Sequence, residues 1–232
     1  MSTKQVVNVK SITSGLSLHP VCTISIFISI RFTQLYHYHV IDLTDTTKFL
    51  NLFVIAMTQI LNNVDLDKVS QTTAMGKKDK STLRKPVKLQ GEWILDSVIG
   101  YQFKTELPYE NGKQVIEIDS PSFLGGNGNR LGPMAYCIAG IASCFIATFV
   151  TVAASQGIRL TKLTVNVECK INFAKTFDVA DEPITEGITF TIDAVSDNAD
   201  KSQLQQLLKM AEERCPAIYS MSHLINVEAV IN

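Results

Sequence analysis

Gly132-Pro133-Met134-Ala135-Tyr136-Cys137-Ile138-Ala139-Gly140-Ile141-Ala142-Ser143-Cys144-Phe145 opens a segment with no Asp, Glu, Lys or Arg from Met134 to Gln156. Pro133 suits a first helical position, because its missing N–H would be unpaired there anyway. Gly157 suits the stop, since glycine reaches the left-handed conformation that ends helices without strain. The spacing therefore predicts one helix from Pro133 to about Gly157. A stretch this long and apolar is also long enough to cross a bilayer. Against a span, it mixes Gly140, Ser143, Thr148, Thr151 and Ser155 with small alanines, and the flanking sequence reads as strands that need something to pack against. A helix apolar on all sides then predicts the core of a soluble protein or of a dimer.

Upstream, Val87 to Leu95, Tyr101 to Leu107 and Gln114 to Asp119 read as strands, with Asn111-Gly112 as a hairpin signal before the last. Pro121 to Gly132, containing Gly125-Gly126-Asn127-Gly128-Asn129, reads as a tight loop. It lacks the Lys-Ser/Thr ending of a phosphate-binding loop and the spacing of a dinucleotide fingerprint. Downstream, Leu160 to Phe173 and Gly187 to Val195 alternate as strands. Asp200 is placed to cap a helix through Arg214, with Leu204, Leu207, Leu208 and Ala211 on one stripe. Ile225 to Ile231 reads as a closing strand. The order βββ-α-ββ-α-β predicts an α+β fold: antiparallel sheets packed around a long buried central helix.

Before this region the pattern differs. Residues 1–56 hold few charges and two short apolar runs, Thr23 to Ile30 and Phe49 to Ala56, and read as an extension of weakly determined structure. Arg31 closes the first run and no small-residue cleavage pattern follows, which argues against a signal peptide. Domain-like patterning begins at Met57, which makes an internal start there a hypothesis. Residues 57–86 read as a short helix, Asp65 to Met75, stopped by Gly76, followed by a solvated linker at Lys77-Lys78-Asp79-Lys80; residues 87–232 read as the folded domain.

The 232-residue chain has a formal net charge of −1, so no electrostatic footprint for nucleic acid. Its five cysteines, Cys22, Cys137, Cys144, Cys169 and Cys215, form neither a disulfide framework nor a CxxC or Cys/His zinc pattern. A reducing, cytoplasmic setting follows, without metal, nucleic acid or membrane. Cys144 lies inside the uncharged helix, and Cys215 precedes Pro216 where the polar helix runs out. The two could meet as a reactive pair of the kind that reduces peroxides. Cys137 and Cys169 read as packing residues.

Gly132 to Phe145, followed by Ala211-Glu212-Glu213-Arg214-Cys215-Pro216, resembles the OsmC/Ohr family of osmotically induced and organic-hydroperoxide-resistance proteins. The resemblance extends from about Val87 to Asn232 and includes Asp119-Ser120-Pro121 and Gly125-Gly126. It implies an intertwined homodimer with two active sites at the subunit interface. It also implies reduction of small organic hydroperoxides without a cofactor, with Cys144 as the attacking (peroxidatic) thiolate, Cys215 as the resolving thiol and an external dithiol as reductant.

Two positions depart from the family pattern. Its members lower the thiol pKa with an arginine from a turn between the first strands, held by a glutamate on the first turn of the long helix. Here that helical position is Met134, and the turn from Leu95 to Gly100 has no arginine. Arg130 is the nearest replacement by sequence, with Arg159 behind it. An uncompensated thiol in an apolar helix is a poor nucleophile, which keeps a second reading open: a non-catalytic OsmC-like dimer binding a small apolar ligand at the interface. A single-span membrane protein is the third. His223 reads as a satisfied or exposed histidine rather than a base near Cys215, and Glu182 and Glu186 as solvated loop carboxylates.

Overall fold

The computed structural model describes residues 59–96 and 98–231. The apolar runs before Ala56 and the start at Met57 lie outside the described residues.

The described chain begins with a small hairpin, β1 (Ile60–Leu61) and β2 (Val64–Asp65). Asn62 (φ 52°) and Asn63 (φ 64°) form its turn, both in the left-handed region that asparagine tolerates better than most residues. The Asn62 amide then clasps the chain far away: its Nδ2 donates to the Ile158 carbonyl at 2.8 Å and its Oδ1 accepts from the Leu160 N–H at 2.8 Å. Helix α1 (Leu66–Lys78) follows, with the Asp65 carboxylate capping the Lys68 N–H at 3.0 Å. Gly76 does not stop it. It lies buried inside α1, where an added Cβ would come within 2.5 Å of the Leu83 side chain, so the bare backbone makes room for the short 3-10 turn Lys80–Leu83. The lysines read as linker are the last turn of α1 and the start of that turn.

Strands β3 (Gly91–Trp93), β4 (Phe103–Tyr109) and β5 (Gly112–Ile118) form an antiparallel sheet in that order. The first is much shorter than the run from Val87 to Leu95, because Val87 and Leu95 find no partner strand and stand exposed. In the β4–β5 hairpin Tyr109 pairs with Gly112, so Glu110 and Asn111 make the turn, and neither they nor Gly112 uses positive φ. The hairpin forms where expected, through a different turn geometry.

Helix α2 (Pro133–Ser155) has Pro133 in its first turn and ends at Gly157 (φ 71°). The Gly157 N–H reaches the Ala154 carbonyl at 3.0 Å and the Ile158 N–H the Ala153 carbonyl at 2.9 Å, a Schellman motif that delivers buried Ile158 back onto the helix. Strands β6 (Leu160–Ile171) and β7 (Thr185–Ser196) pair antiparallel as a separate sheet. Along both, every second side chain is half-buried, and Leu163, Phe190, Ile192 and Ala194 on that face pack against the core. Helix α3 (Lys201–Arg214) opens with a full capping box, Asp200 and Gln203 each bonding the other's backbone N–H. A short helix α4 (Pro216–Ser222) follows directly.

The core joins these elements. Phe145, Phe149, Val152 and Ala153 of α2 meet Leu207 and Ala211 of α3, with Cys215 between the helices. Phe145 also stacks edge-on against Phe190 of β7, centroids 5.1 Å apart.

Two further expectations fail within the described residues. The closing strand is absent: Ile225 to Ile231 pairs with no strand among the described residues, and Leu224, Val227, Val230 and Ile231 are largely exposed. A strand needs an edge to complete, and none of the described sheet edges receives this segment. Helix α2 is also not buried throughout. Its C-terminal half buries one stripe, Phe145, Phe149 and Val152 to Ala154, but its N-terminal half is exposed at Met134, Cys137 and Gly140, and only 28% of its most apolar window is covered.

Candidate active site

The two thiols singled out by sequence lie 3.6 Å apart, Cys215 Sγ to Cys144 Sγ. Each is placed by an identifiable local cause. Cys144 sits mid-way along α2 on the edge of the buried stripe led by Phe145, and is half-buried. Cys215 owes its place to Pro216, whose ring disfavours the helical conformation for the residue before it. Cys215 accordingly adopts φ −75°, ψ 120°, at once the C-cap of α3 and the N-cap of α4. Its N–H still reaches back to the Ala211 carbonyl at 2.9 Å, its carbonyl accepts the first α4 bond from Tyr219 at 2.9 Å, and it is completely buried.

The electrostatics follow from this packing. Burial pushes the Cys144 thiol above the ordinary cysteine value, the Ala217 backbone N–H directed at the sulfur pulls it back down, and neighbouring Cys215 pushes it up again. The net direction is upward. No charged residue lies in the first or last turn of α2 to reverse it. Ala217 was not foreseen from sequence; its only signal was Pro216, which favours a new helix start beside the sulfur.

The remaining predicted residues lie elsewhere. Arg130 precedes α2, and its Nε binds Glu117 at 3.1 Å while its Nη1 donates to the Asn129 carbonyl at 3.0 Å. Cys144 is about 16 Å further along the helix axis from Pro133, so within one chain Arg130 is not brought to the thiol. Arg159 faces Asp197 at 3.7 Å. His223 stacks on Tyr219 with centroids 4.0 Å apart at the far end of α4 from Cys215. Glu182 accepts from Asn172 at 2.7 Å, and Cys137 is exposed rather than packed.

Beside Cys144 runs an open cleft of about 460 Å³ along α2, walled by Ala147, Thr148 and Thr151 and reached by Arg214 of α3. The glycine-rich loop before α2 is fastened from within. The buried Asp119 carboxylate accepts the N–H groups of Asn127 at 3.1 Å and Asn129 at 2.9 Å. Donors that would have to face a phosphate are thus already given to a carboxylate. Among the described residues no three His, Cys, Asp or Glu side chains gather in a metal-binding group.

An α+β chain with three antiparallel sheets, one long apolar helix and a pair of thiols at its edge is the class defined by this geometry. Residues 126–230 match the family model described as OsmC-like protein. Similar solved structures include an OsmC-like protein from Mycoplasma pneumoniae, 20% identical over 60% of this chain and 88% of that one, TM-score 0.46. An organic hydroperoxide resistance protein OsmC from Legionella pneumophila is 18% identical over 60% and 91%, TM-score 0.42. An organic hydroperoxide resistance protein from Elizabethkingia anophelis is 20% identical over 60% and 90%, TM-score 0.42. No curated protein matches the chain.

Proposed function

We propose that the protein is a cysteine-based peroxidase that reduces organic hydroperoxides. The observation that carries this reading is the 3.6 Å approach of Cys215 to Cys144, one sulfur enclosed and the other beside an open cleft. The Cys144 thiolate attacks the outer oxygen of the hydroperoxide. An S–O bond forms as the O–O bond breaks, and the alkoxide takes a proton and leaves as the alcohol. Cys215 then attacks the sulfenic sulfur, forming the disulfide and releasing water. An external dithiol returns both thiols by exchange. The chain's own contribution is placement: α2 fixes Cys144, Pro216 turns Cys215 toward it, and the Ala217 N–H stabilises charge on the attacking sulfur.

The functional unit on this reading is a cytoplasmic homodimer, free of metal and cofactor. The bare N-terminal half of α2 and the unpaired residues 224–231 support a second copy, since each offers surface that one chain leaves uncovered. The test is turnover of cumene or tert-butyl hydroperoxide with a dithiol. Consumption that requires both the protein and the dithiol is expected. No consumption above background rejects the peroxidase and favours the dimer that only binds an apolar ligand, a reading supported by the raised Cys144 thiol and by Met134.

A further inference from the structure

Among the described residues the Cys144 cleft holds one full charge, which the peroxide chemistry has not used. Arg214, the last residue of α3, lines the cleft together with Cys144, and among the described residues no carboxylate lines it. The side chain is exposed and has no ion pair among the described residues, whereas Arg130 and Arg159 are engaged by Glu117 and Asp197. Of the two acids before it, Glu212 faces other depressions, beside Leu208 and Ile218, and neither Glu212 nor Glu213 lines the Cys144 cleft. The guanidinium is also not among the groups that act on the Cys144 thiol. Thiol and cation therefore share a cleft without direct contact. Between them lie the small walls of Ala147, Thr148 and Thr151. At about 30 Å³ per water-sized group, the cleft accommodates roughly fifteen heavy atoms.

We propose that Arg214 is the specificity-determining residue of this cleft, binding the anionic group of a hydroperoxide whose O–O bond lies against the Cys144 sulfur. The inference rests on the peroxidase reading and deepens it by naming the substrate class: compact, mainly apolar hydroperoxides that carry a carboxylate. A guanidinium suits that group because its planar fork donates two parallel hydrogen bonds to the two oxygens. The chemistry at sulfur is unchanged. Cys144 loses two electrons to the O–O bond, and the product is the alcohol with its carboxylate intact.

The test compares cumene hydroperoxide with its para-carboxylated analogue, using dithiothreitol as reductant, in the full chain and in Arg214→Gln and Arg214→Lys. The readout is the ratio of kcat/KM for the carboxylated over the neutral peroxide, which cancels any loss common to both. The wild type is expected to favour the carboxylated peroxide. Arg214→Gln should lower the ratio by about tenfold or more, the scale of one charge-assisted contact, and Arg214→Lys should restore part of it. An unchanged ratio in Arg214→Gln overturns the proposal. Binding of the carboxylated cumyl alcohol, which cannot oxidise the protein, is measured by calorimetry on the same three proteins. Arg214-dependent binding without any peroxide turnover would reject the peroxidase and keep Arg214 as an anion site. Turnover of the neutral peroxide with no Arg214-dependent binding would do the reverse.

Discussion

Cys215 is completely buried while Cys144, 3.6 Å away, keeps one side toward a cleft, and this asymmetry divides the labour between the two sulfurs. A peroxide can reach only the sulfur that faces solvent. Cys144→Ser is therefore expected to abolish hydroperoxide consumption, because a serine hydroxyl is neither ionised nor polarisable enough to attack the O–O bond. Cys215→Ser should consume about one equivalent per site and stop as a sulfenic acid, trapped by dimedone at Cys144. Cys137→Ala should leave turnover intact. Equal activity of wild type and Cys144→Ser would sink the assignment.

The pH dependence follows from the thiol's surroundings. Burial, the largest cause, raises the Cys144 thiol, so at pH 7 to 8 it is more fully protonated than a free cysteine. Alkylation by iodoacetamide in the Cys215→Ser variant should accelerate with pH, its inflection lying above the ordinary cysteine value. The linkage has the same sign. The folded state favours the protonated thiol, so this group's contribution to stability is present below the unfolded-state value and fades as pH rises through the folded-state one. An inflection below the ordinary value would mean that a cation, Arg214 or one from a second copy, comes to act on Cys144.

What could be read from the sequence divides along physical lines. Helix α2 was legible because Pro133 and Gly157 bracket it; α3 because Asp200 and Gln203 form its capping box; β6 and β7 because their alternation is nearly unbroken. These signals are local, and local geometry decides them. The closing strand misled because alternation at Ile225 and Val227 states a preference without supplying a partner edge. Gly76 misled because a packing reason, Leu83 lying against it, outweighs the modest propensity cost of glycine within a helix. At the site, the pairing of Cys144 with Cys215 was anticipated, but the place of Arg214 and the Ala217 N–H depend on how α3 and α4 cross α2. No spacing in the chain encodes that crossing.

Asp119 governs the loop that leads into α2. Its carboxylate accepts the backbone N–H groups of Asn127 and Asn129 while fully buried. Asp119→Ala would strand both donors, at about 1–3 kcal/mol each, and is expected to lower unfolding stability by roughly 2–5 kcal/mol in a denaturant titration. Gly126→Ala should be harmful for a different reason, because its Cβ would lie 1.9 Å from the Ser120 carbonyl oxygen, a backbone atom that cannot step aside. Midpoints within experimental error of the wild type for both variants would show that the loop is not fastened this way.

Gly140 offers a direct test of whether a second copy covers the exposed half of α2. In the isolated chain an added Cβ at Gly140 meets nothing within 4 Å, and its φ is not positive. For a free helix face, Gly140→Ala should therefore stabilise the protein by about 0.5–1 kcal/mol, through helix propensity and a less flexible unfolded chain. A partner helix packed closely on that face changes the sign. Small residues let helix backbones approach, and a methyl group inserted into a packed contact costs about 1–3 kcal/mol. On the dimer reading the wild type sediments as a dimer at micromolar concentration. Gly140→Leu should then shift it toward monomer, with Gly140→Ala in between. A monomeric wild type, stabilised by Gly140→Ala, would remove the second copy from this face and with it the expectation that the Cys144 site lies at a subunit interface.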